Sequence, residues 1–410
     1  MDTIFLTEIP NLNWSNGGNF PHGPLFFLTP NYLFRKLNSS KETSHKLSIY
    51  NMTSWKKYLY FSWLYILVWG TPSLAQDPLD GLFAKTGVNR SNVKVENMEA
   101  AHIPLIDAHN HLNRNMAAET LIGAMGKAGV KRMVLLPRHY ESPKDGGLSS
   151  DEQARDYARK YPGSFIPFIG GQRDDLGSRS RLWNDLGALD SLLVEMKGKL
   201  RTGEFFGLGE FILFHHAYEI TNTTETGGEV KIPADSRGLK EIAKLAARYQ
   251  VPVLFHAEAE PGVVEEVVRL FKSAPDTQFI WAHNCGRSSA DQIGKFLNRY
   301  PKLMCDLGGM FNGPYTKGGY GKYWPRKTPW IHLVQDDDGK IVPEMKALFE
   351  AFPDRFVIGT DVAHTPMLIH YEYRIAIFRV MLAQLAADTA RKIGYENAER
   401  LFAKPGGLIK

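Results

Sequence analysis

Six side chains that can bind a metal ion or move a proton follow short apolar segments of this 410-residue chain. They are His109, His111, Glu210, His256, His283 and Asp361. His109 and His111 stand two positions apart, so in an extended strand both side chains point to the same face and can bind one ion. Taken alone this spacing is weak, because a polar turn after a strand explains it equally well. Zinc held by such groups with an open coordination position activates water for hydrolysis.

The elements that must position these groups follow from hydrophobic periodicity. Eight short apolar runs predict buried parallel strands. They cover residues 103–107, 132–137, 164–170, 204–210, 251–256, 277–283, 302–307 and 355–361. Segments with helical spacing lie between them, as in 237–249 and 263–271, although any single short run is also compatible with a buried helix. Eight alternations predict an α/β fold, a (β/α)8 TIM barrel, whose usual size is about 250 residues.

A parallel barrel brings distant residues together at one mouth. The carboxyl ends of all its strands open on the same face, and strand eight closes beside strand one, so Asp361 is expected beside His109. A buried cluster of imidazole and carboxylate groups is costly to desolvate unless an ion is bound, which favours coordination. A single His at a strand end is usually a satisfied core residue. The order of the whole set along the barrel is what predicts a metal site.

The same motifs make the sequence similar to the amidohydrolase superfamily, in particular to its branch of amidohydrolase-related lactonases and decarboxylases. They are DAHNHL at 107–112, GLGEF at 207–211, His256, His283, GTDVAH at 359–364 and NAERLF at 397–402. The resemblance covers roughly residues 103–404, which is the whole predicted barrel, and none of the first 102 residues.

The resemblance implies a divalent metal ion, most often Zn²⁺ with Mn²⁺ as the alternative, and one or two ions per chain. The implied ligands are His109, His111, His256 and Asp361. His283 is implied as a further ligand or as the group that polarises the substrate. Other branches carry a carboxylated lysine on strand four, where this chain has Glu210. Whether Glu210 touches the metal stays open.

This ligand set predicts a hydrolase that cleaves a C–O or C–N bond at a carbonyl, as in a lactone, ester or amide, with a metal-bound hydroxide. Asp361 is suited to take a proton from water and pass it to the leaving group, and His283 to stabilise the developing oxyanion. The alternative is a metal-dependent, non-oxidative decarboxylase (a lyase) of an aromatic or unsaturated carboxylic acid. A catalytically inactive, secreted binding barrel is a third hypothesis, which the complete ligand set disfavours.

Further candidates at the barrel mouth concern the substrate. Arg138 after strand two and Arg173 after strand three are predicted to hold a substrate carboxylate, with salt bridges to nearby acidic residues as an equal alternative. His364 is a substrate-binding candidate beside Asp361. The long Gly- and aromatic-rich loop after strand seven, 308–341, is predicted to be a lid, with an unstructured insertion as the alternative.

The two cysteines of the chain are expected to lie on neighbouring strands, six and seven. Cys285 and Cys305 are predicted to be buried thiols. A disulfide needs Cα atoms within about 7 Å of each other, and the sequence does not show that these two come so close.

The segment that begins at Met52 has the three parts of a signal peptide: a short basic start, an uncharged apolar run over 58–70 and small residues before Ala75. A membrane-spanning helix needs about 20 apolar residues, more than this run offers. We therefore predict translation from Met52 and export to the periplasm or secretion, with a cytoplasmic tail and an uncleaved membrane anchor as the alternative. The predicted domains are a non-native or disordered extension 1–51, the signal peptide 52–75, a polar linker 76–102 and the barrel 103–410.

Charge excludes one broad class of partner. Lys and Arg number 49 and Asp and Glu 44, a net charge of +5. Six of the basic and three of the acidic residues precede Gln76, which leaves 43 against 41 in the rest of the chain. Such a balance offers no footprint for a polyanion, so nucleic acid is not an expected partner. The expected partner is a small-molecule substrate, with a carboxylate-bearing one and a homo-oligomer left open, and with membrane contact only through the signal segment.

Overall fold

Apolar segments at all eight predicted positions form parallel strands around a common interior. The strands are β1 Leu105–Asp107, β2 Val130–His139, β3 Phe165–Pro167, β4 Leu208–His215, β5 Val253–Ala257, β6 Phe279–Trp281, β7 Leu303–Asp306 and β8 Phe356–Val357. Each pairs in parallel with the next, and a bridge between Ile169 and Leu208 joins β3 to β4. The N–H of Ala108 donates to the carbonyl of Ile358 (2.9 Å), which joins β8 back to β1. The predicted (β/α)8 barrel is therefore confirmed.

The structure is a computed structural model that describes residues 77–139, 149–173, 186–215, 230–310 and 333–403. It also describes the backbone of the antiparallel pair Tyr218–Glu219 and Thr226–Gly227. The predicted extension 1–51 and signal peptide 52–75 lie outside the described residues. Among the described residues, no helix is both long and apolar enough to cross a membrane.

Side chains alternate along each strand between the barrel interior and the surrounding helices. Ile106 of β1 and both Val134 and Leu136 of β2 belong to the interior cluster, whereas Leu105 and Met133 belong to the larger outer cluster. Both faces of each strand are thus buried. This is why the strands read as near-continuous apolar runs in the sequence.

Helices pack around the barrel between successive strands. They are α1 Asp80–Thr86, α2 Ala118–Ala128, α3 Asp151–Lys160, α4 Leu186–Leu200, α5 Arg237–Tyr249, α6 Pro261–Ser273, α7 Ala290–Arg299, α8 Pro343–Ala351, α9 Tyr371–Leu382, α10 Ala387–Arg391 and α11 Asn397–Leu401. The side chains of Ser150, Ser236 and Ser289 cap α3, α5 and α7 by accepting a backbone N–H of the first turn. The observed bounds of α5 are the predicted ones.

Residues 77–101 correct the prediction of a linker. Helix α1 and two 3₁₀ turns, Arg90–Asn92 and Met98–Ala101, lie in this stretch, and Leu79 and Phe83 are buried in the outer core. The guanidinium of Arg379 in α9 donates to the carbonyls of Ala100 (2.9 Å) and Ile103 (3.0 Å). The linker prediction is therefore wrong for this part. Its few apolar residues sit on helices too short to show a period in the sequence.

The segment after β7 and the two cysteines bear on the predictions of a lid and of two free thiols. β7 ends at Asp306 and α8 begins at Pro343, and the lid prediction falls mainly on residues 311–332, outside the described residues. Cys285 and Cys305 form a disulfide with their Cα atoms 4.9 Å apart, so the prediction of two thiols is wrong. After β6 the chain turns in a left-handed conformation, which sequence spacing does not reveal, and this brings Cys285 beside β7.

Candidate metal centre

The predicted ligands converge at the carboxyl end of the barrel. They come from β1, β4, β5, β6 and β8, and five of them are buried, namely His109, His111, Glu210, His256 and His283. Asp361 is the one with measurable exposure, at 21% of its side chain. Close approach of β8 to β1 requires glycine at position 359, where a Cβ would stand 2.5 Å from the Cβ of His109. The prediction that strand eight meets strand one is therefore confirmed.

A first ligand group surrounds one point. The Nε2 of His111 lies 3.3 Å from Oδ1 of Asp361 and 3.4 Å from Oε2 of Glu210. The Nε2 of His109 lies 3.7 Å from each of the same two oxygens. Four ligands held tetrahedrally at about 2.1 Å from zinc would stand about 3.4 Å from one another. His109, His111 and Asp361 therefore have the spacing of a metal site, and Oε2 of Glu210 lies beside them.

A second ligand group adjoins the first and shares Glu210 with it. The other oxygen of Glu210, Oε1, lies 3.5 Å from Nδ1 of His256 and 3.5 Å from Nε2 of His283. The two oxygens of one buried carboxylate thus face two different groups of ligands. Glu210 is therefore a candidate ligand that both groups could share.

Three buried atoms of these side chains have no hydrogen-bond partner, namely Nε2 of His109, Nδ1 of His111 and Oε1 of Glu210. Leaving such atoms unsatisfied costs about 1–3 kcal/mol each, a cost that coordination removes for Nε2 of His109 and Oε1 of Glu210. Burial and the positive charge of Arg138 lower the pKa of His111 to about 4, so its imidazole is neutral at pH 7, as a metal ligand must be. The residues present therefore fit a divalent ion.

Three of the histidines are oriented through their second ring nitrogen. Nδ1 of His109 donates to Asp306 (3.1 Å), Nε2 of His256 donates to Glu258 (3.0 Å), and Nδ1 of His283 donates to the carbonyl of Gly308 (2.7 Å). Such partners select the tautomer and hold the ring toward the ion. Asp306 and Glu258 were not among the sequence candidates. Their signals were present, since Asp306 ends β7 and Glu258 stands two residues after His256.

The backbone of Asp361 is also specialised. Its φ of 47° lies in the left-handed region, which a non-glycine residue adopts only when its surroundings enforce it. The N–H of Asp361 donates to the carbonyl of His109 (2.8 Å), which ties this residue to β1. Burial opposes ionisation of Asp361, but the neighbouring His111, His109 and His283 outweigh it and hold the pKa of the carboxyl well below its usual range.

The two arginines predicted to bind substrate point in different directions. Arg138 is buried and follows Val134 and Leu136 on the inward face of β2, close enough to His111 to lower its pKa. Arg173 points the other way, because its neighbour Gln172 takes the inward position and donates to Oε2 of Glu210 (3.0 Å).

The guanidinium of Arg173 is committed to two carboxylates. Its Nη2 lies 3.1 Å from Asp151 and its Nη1 lies 3.1 Å from Glu195. The substrate-binding prediction is thus wrong for Arg173, and the salt-bridge alternative holds with different partners from those near it in sequence. His364 is half-buried before the 3₁₀ segment Thr365–His370, and its substrate role stays a prediction.

Residues 223–404 match the family model Amidohydro_2, whose description is amidohydrolase. The matched stretch includes β5 to β8 and three of the ligands, His256, His283 and Asp361. Over this stretch, which is 182 of the 410 residues, the chain is similar to the amidohydrolases.

No curated protein matches this chain. Similar solved structures include an uncharacterized TIM-barrel protein from Bordetella bronchiseptica, at 16% identity and a TM-score of 0.45, covering 73% of this chain and 99% of that one. A probable 2-pyrone-4,6-dicarboxylic acid hydrolase from Acinetobacter baumannii with citric acid bound is 15% identical, with a TM-score of 0.40 and coverages of 73% and 98%. The phosphotriesterase homology protein from Escherichia coli, complexed with phosphate in its active site, is 13% identical, with a TM-score of 0.45 and coverages of 73% and 99%.

Proposed function

We propose that this protein is an exported enzyme that uses Zn²⁺, with Mn²⁺ as the alternative, to hydrolyse a C–O or C–N bond at a carbonyl, as in a lactone, ester or amide. The observation that carries the proposal is the position of Glu210, whose two oxygens face two adjoining ligand groups. Carboxylate-bridged pairs of ions recur in hydrolytic enzymes such as phosphatases and aminopeptidases, where they clamp the attacking and leaving oxygens.

Residues of the site would have two roles, to hold ions and to move a proton. When bound, divalent ions supply a Lewis acid for the substrate carbonyl and activate water as a nucleophile. His109, His111 and Asp361 would hold a first ion, and His256 and His283 would hold a second. In this proposal His283 would act as a ligand rather than as a free group that polarises the substrate.

Asp361 is the proton carrier in this proposal. It is the ligand that opens toward the mouth, and the imidazoles around it keep its carboxylate ionised. An ionised carboxylate at that place accepts a proton from the attacking water and returns it to the leaving group. A neutral carboxyl group could not accept the proton, so the surrounding imidazoles are part of the catalytic arrangement.

Arg138 supports a substrate that carries negative charge. Its guanidinium belongs to the inward face of β2 and its field reaches His111, so an anionic group bound at the mouth would lie within the same field. A carboxylate on the lactone, ester or amide is the substrate chemistry that fits.

Export is supported by two observations. The segment 52–75 has the composition of a signal peptide. Cys285 and Cys305 form a disulfide, and disulfides persist mainly in oxidising compartments. Fractionation of cells expressing the chain from Met52 tests this part. Recovery of a shortened chain outside the cytoplasm is expected, and a full-length cytoplasmic chain would contradict it.

The enzymatic proposal is tested on the chain from residue 76 onward, purified without chelators. Bound metal is counted by mass spectrometry, and lactones, esters, amides and aromatic carboxylic acids are supplied as substrates. We expect one or two ions per chain and ring opening or bond cleavage that EDTA abolishes. Release of CO₂ from an aromatic acid without hydrolysis would select the decarboxylase instead. A chain that takes up neither zinc nor manganese would leave the inactive binding barrel.

A further inference from the structure

Five consecutive residues after β6 form a left-handed turn. From His283 to Arg287 every φ lies between 52° and 72°, and four of the five residues carry a side chain. Left-handed backbone brings the Cβ of an L-residue too close to the following carbonyl oxygen, so it is normally visited by single residues. A run of this length persists only where the surrounding structure enforces it.

Both ends of this left-handed turn carry parts of the second ligand group. His283 at its start faces Oε1 of Glu210. Arg287 at its end is buried and donates to Glu258, the same carboxylate that accepts the Nε2 proton of His256. The orientation of His256 therefore depends on the turn through two successive contacts, and that of His283 depends on it directly.

A disulfide ties the middle of the left-handed turn to the neighbouring strand. Cys285 is joined to Cys305 of β7, and both are fully buried. Two hydrogen bonds also hold this turn. The N–H of His283 donates to Asp306 (3.2 Å), and the N–H of Ala259 donates to the carbonyl of Gly286 (2.9 Å). The covalent link thus acts at the centre of the strained run.

Other contacts hold the first ligand group. His111 and Asp361 lie at the junction of β1 and β8, where the N–H of Asp361 donates to the carbonyl of His109 (2.8 Å), although Oδ2 of Asp361 also lies 4.0 Å from Nδ1 of His283. His109 is oriented by Asp306, which lies within β7 and is held in register by the ladders to β6 and β8. Loss of the disulfide would leave that strand pairing in place.

We infer that the Cys285–Cys305 disulfide is a positioning element of the metal centre. It holds the left-handed turn so that His283, and through Arg287 also His256, remain aimed at Glu210. The inference rests on the proposed function, because it requires the second ligand group to bind an ion. Removing the disulfide is expected to weaken binding of the second ion at least tenfold and to leave the first ion's affinity within threefold.

The test compares the oxidised wild-type chain with the double variant Cys285→Ser, Cys305→Ser. Both are stripped of metal and titrated with Zn²⁺ against a chromophoric chelator, and bound zinc is counted by mass spectrometry. The matched control is Leu270→Ala, a buried residue of α6 outside the metal centre. It should lower the melting temperature without changing the ratio of the two zinc affinities, so a general loss of stability is separated from a local one.

Each result of the zinc titration either supports or overturns the inference. Selective loss of the second zinc in the double variant supports the inference. Unchanged binding of both ions, or equal weakening of both, overturns it. A wild-type chain that binds one zinc overturns it too but leaves a metal-dependent enzyme, whereas a wild-type chain that binds none removes the proposed function itself.

A second measurement covers the case in which the double variant fails to fold. The wild-type chain is unfolded and refolded in the presence of a phosphine, its free thiols are counted by mass on a portion alkylated in denaturant, and the zinc titration is repeated on the refolded, unalkylated chain. Selective weakening of the second zinc again supports the inference, and retention of both affinities in the fully reduced chain overturns it.

Discussion

Replacing Asp151 by asparagine is expected to destabilise the barrel in a way that depends on pH. This fully buried carboxylate accepts from His139 (2.7 Å), from the N–H of Gly170 (2.8 Å), and from Arg173 (3.1 Å) and Lys199 (2.6 Å). Burial alone would raise the pKa of Asp151, but the hydrogen bond from His139 and the positive charges of Arg173 and Lys199 outweigh it and lower the pKa to about 2. The substitution keeps the shape and removes the charge.

The magnitude follows from that pKa. The ordinary value for this carboxyl is 3.8. A difference of about 1.8 pKa units corresponds to ~2.5 kcal/mol of folding free energy at pH 7. Because the pKa is lower in the folded chain, this stabilisation is fully present above pH 5 and is lost as the pH falls toward 2. At pH 3 it should have shrunk to ~1.3 kcal/mol.

The assay is urea unfolding of the wild-type chain and Asp151→Asn, each measured from pH 7 to pH 3. Asp156→Asn is the matched control, because Asp156 lies on the same helix but is exposed, and its loss should change stability by less than ~0.5 kcal/mol. Equal stability of Asp151→Asn and the wild type at pH 7 would refute the reasoning. So would a difference that stays constant down to pH 3, since it would not arise from an ionised carboxylate.

Three further substitutions address the metal centre and the N-terminal segment. Asp361→Asn should lower kcat by about 10²–10⁴-fold while the melting temperature stays near that of the wild type, and full activity in the variant would remove its proton-transfer role. Glu258→Gln should weaken metal binding by about 10–100-fold, as measured by zinc titration, because a neutral amide oxygen accepts the Nε2 proton of His256 more weakly than the carboxylate does; unchanged affinity would contradict that role of Glu258. Arg379→Met should cost about 2–4 kcal/mol in urea unfolding, because carbonyls at residues 100, 103 and 129 lose their donor, and a cost below ~1 kcal/mol would show that water replaces it.

The barrel and most of its ligands were predictable from sequence. Parallel strands buried on both faces read as short apolar runs, and each ligand stands at or just after the end of such a run. Once eight runs predict a barrel, its symmetry places all carboxyl ends at one mouth, so His109 and Asp361 are neighbours by topology alone. Amphipathic spacing likewise predicted α5 with its observed bounds.

The tertiary structure alone decided which way side chains point and what lies behind them. Adjacent positions of the short strand Gln172–Arg173, which pairs with β2, separate Gln172, which reaches Glu210, from Arg173, which is turned toward Asp151 and Glu195. Strand register decides that separation, and a shift of one residue would reverse it.

Local backbone conformation decided the pairing of the cysteines and the structure of residues 77–101. The left-handed turn after β6 joins Cys285 to Cys305, where spacing had indicated two thiols. Short helices over 77–101 carry too few apolar residues to reveal a period, yet they pack on the barrel. The sequence predicted the strands and the order in which the residues at their ends meet at the barrel mouth, because burial imposes an apolar pattern on every strand. The place of Glu210 between the two ligand groups and the orientation of each imidazole depend on contacts between distant segments, which no local pattern records.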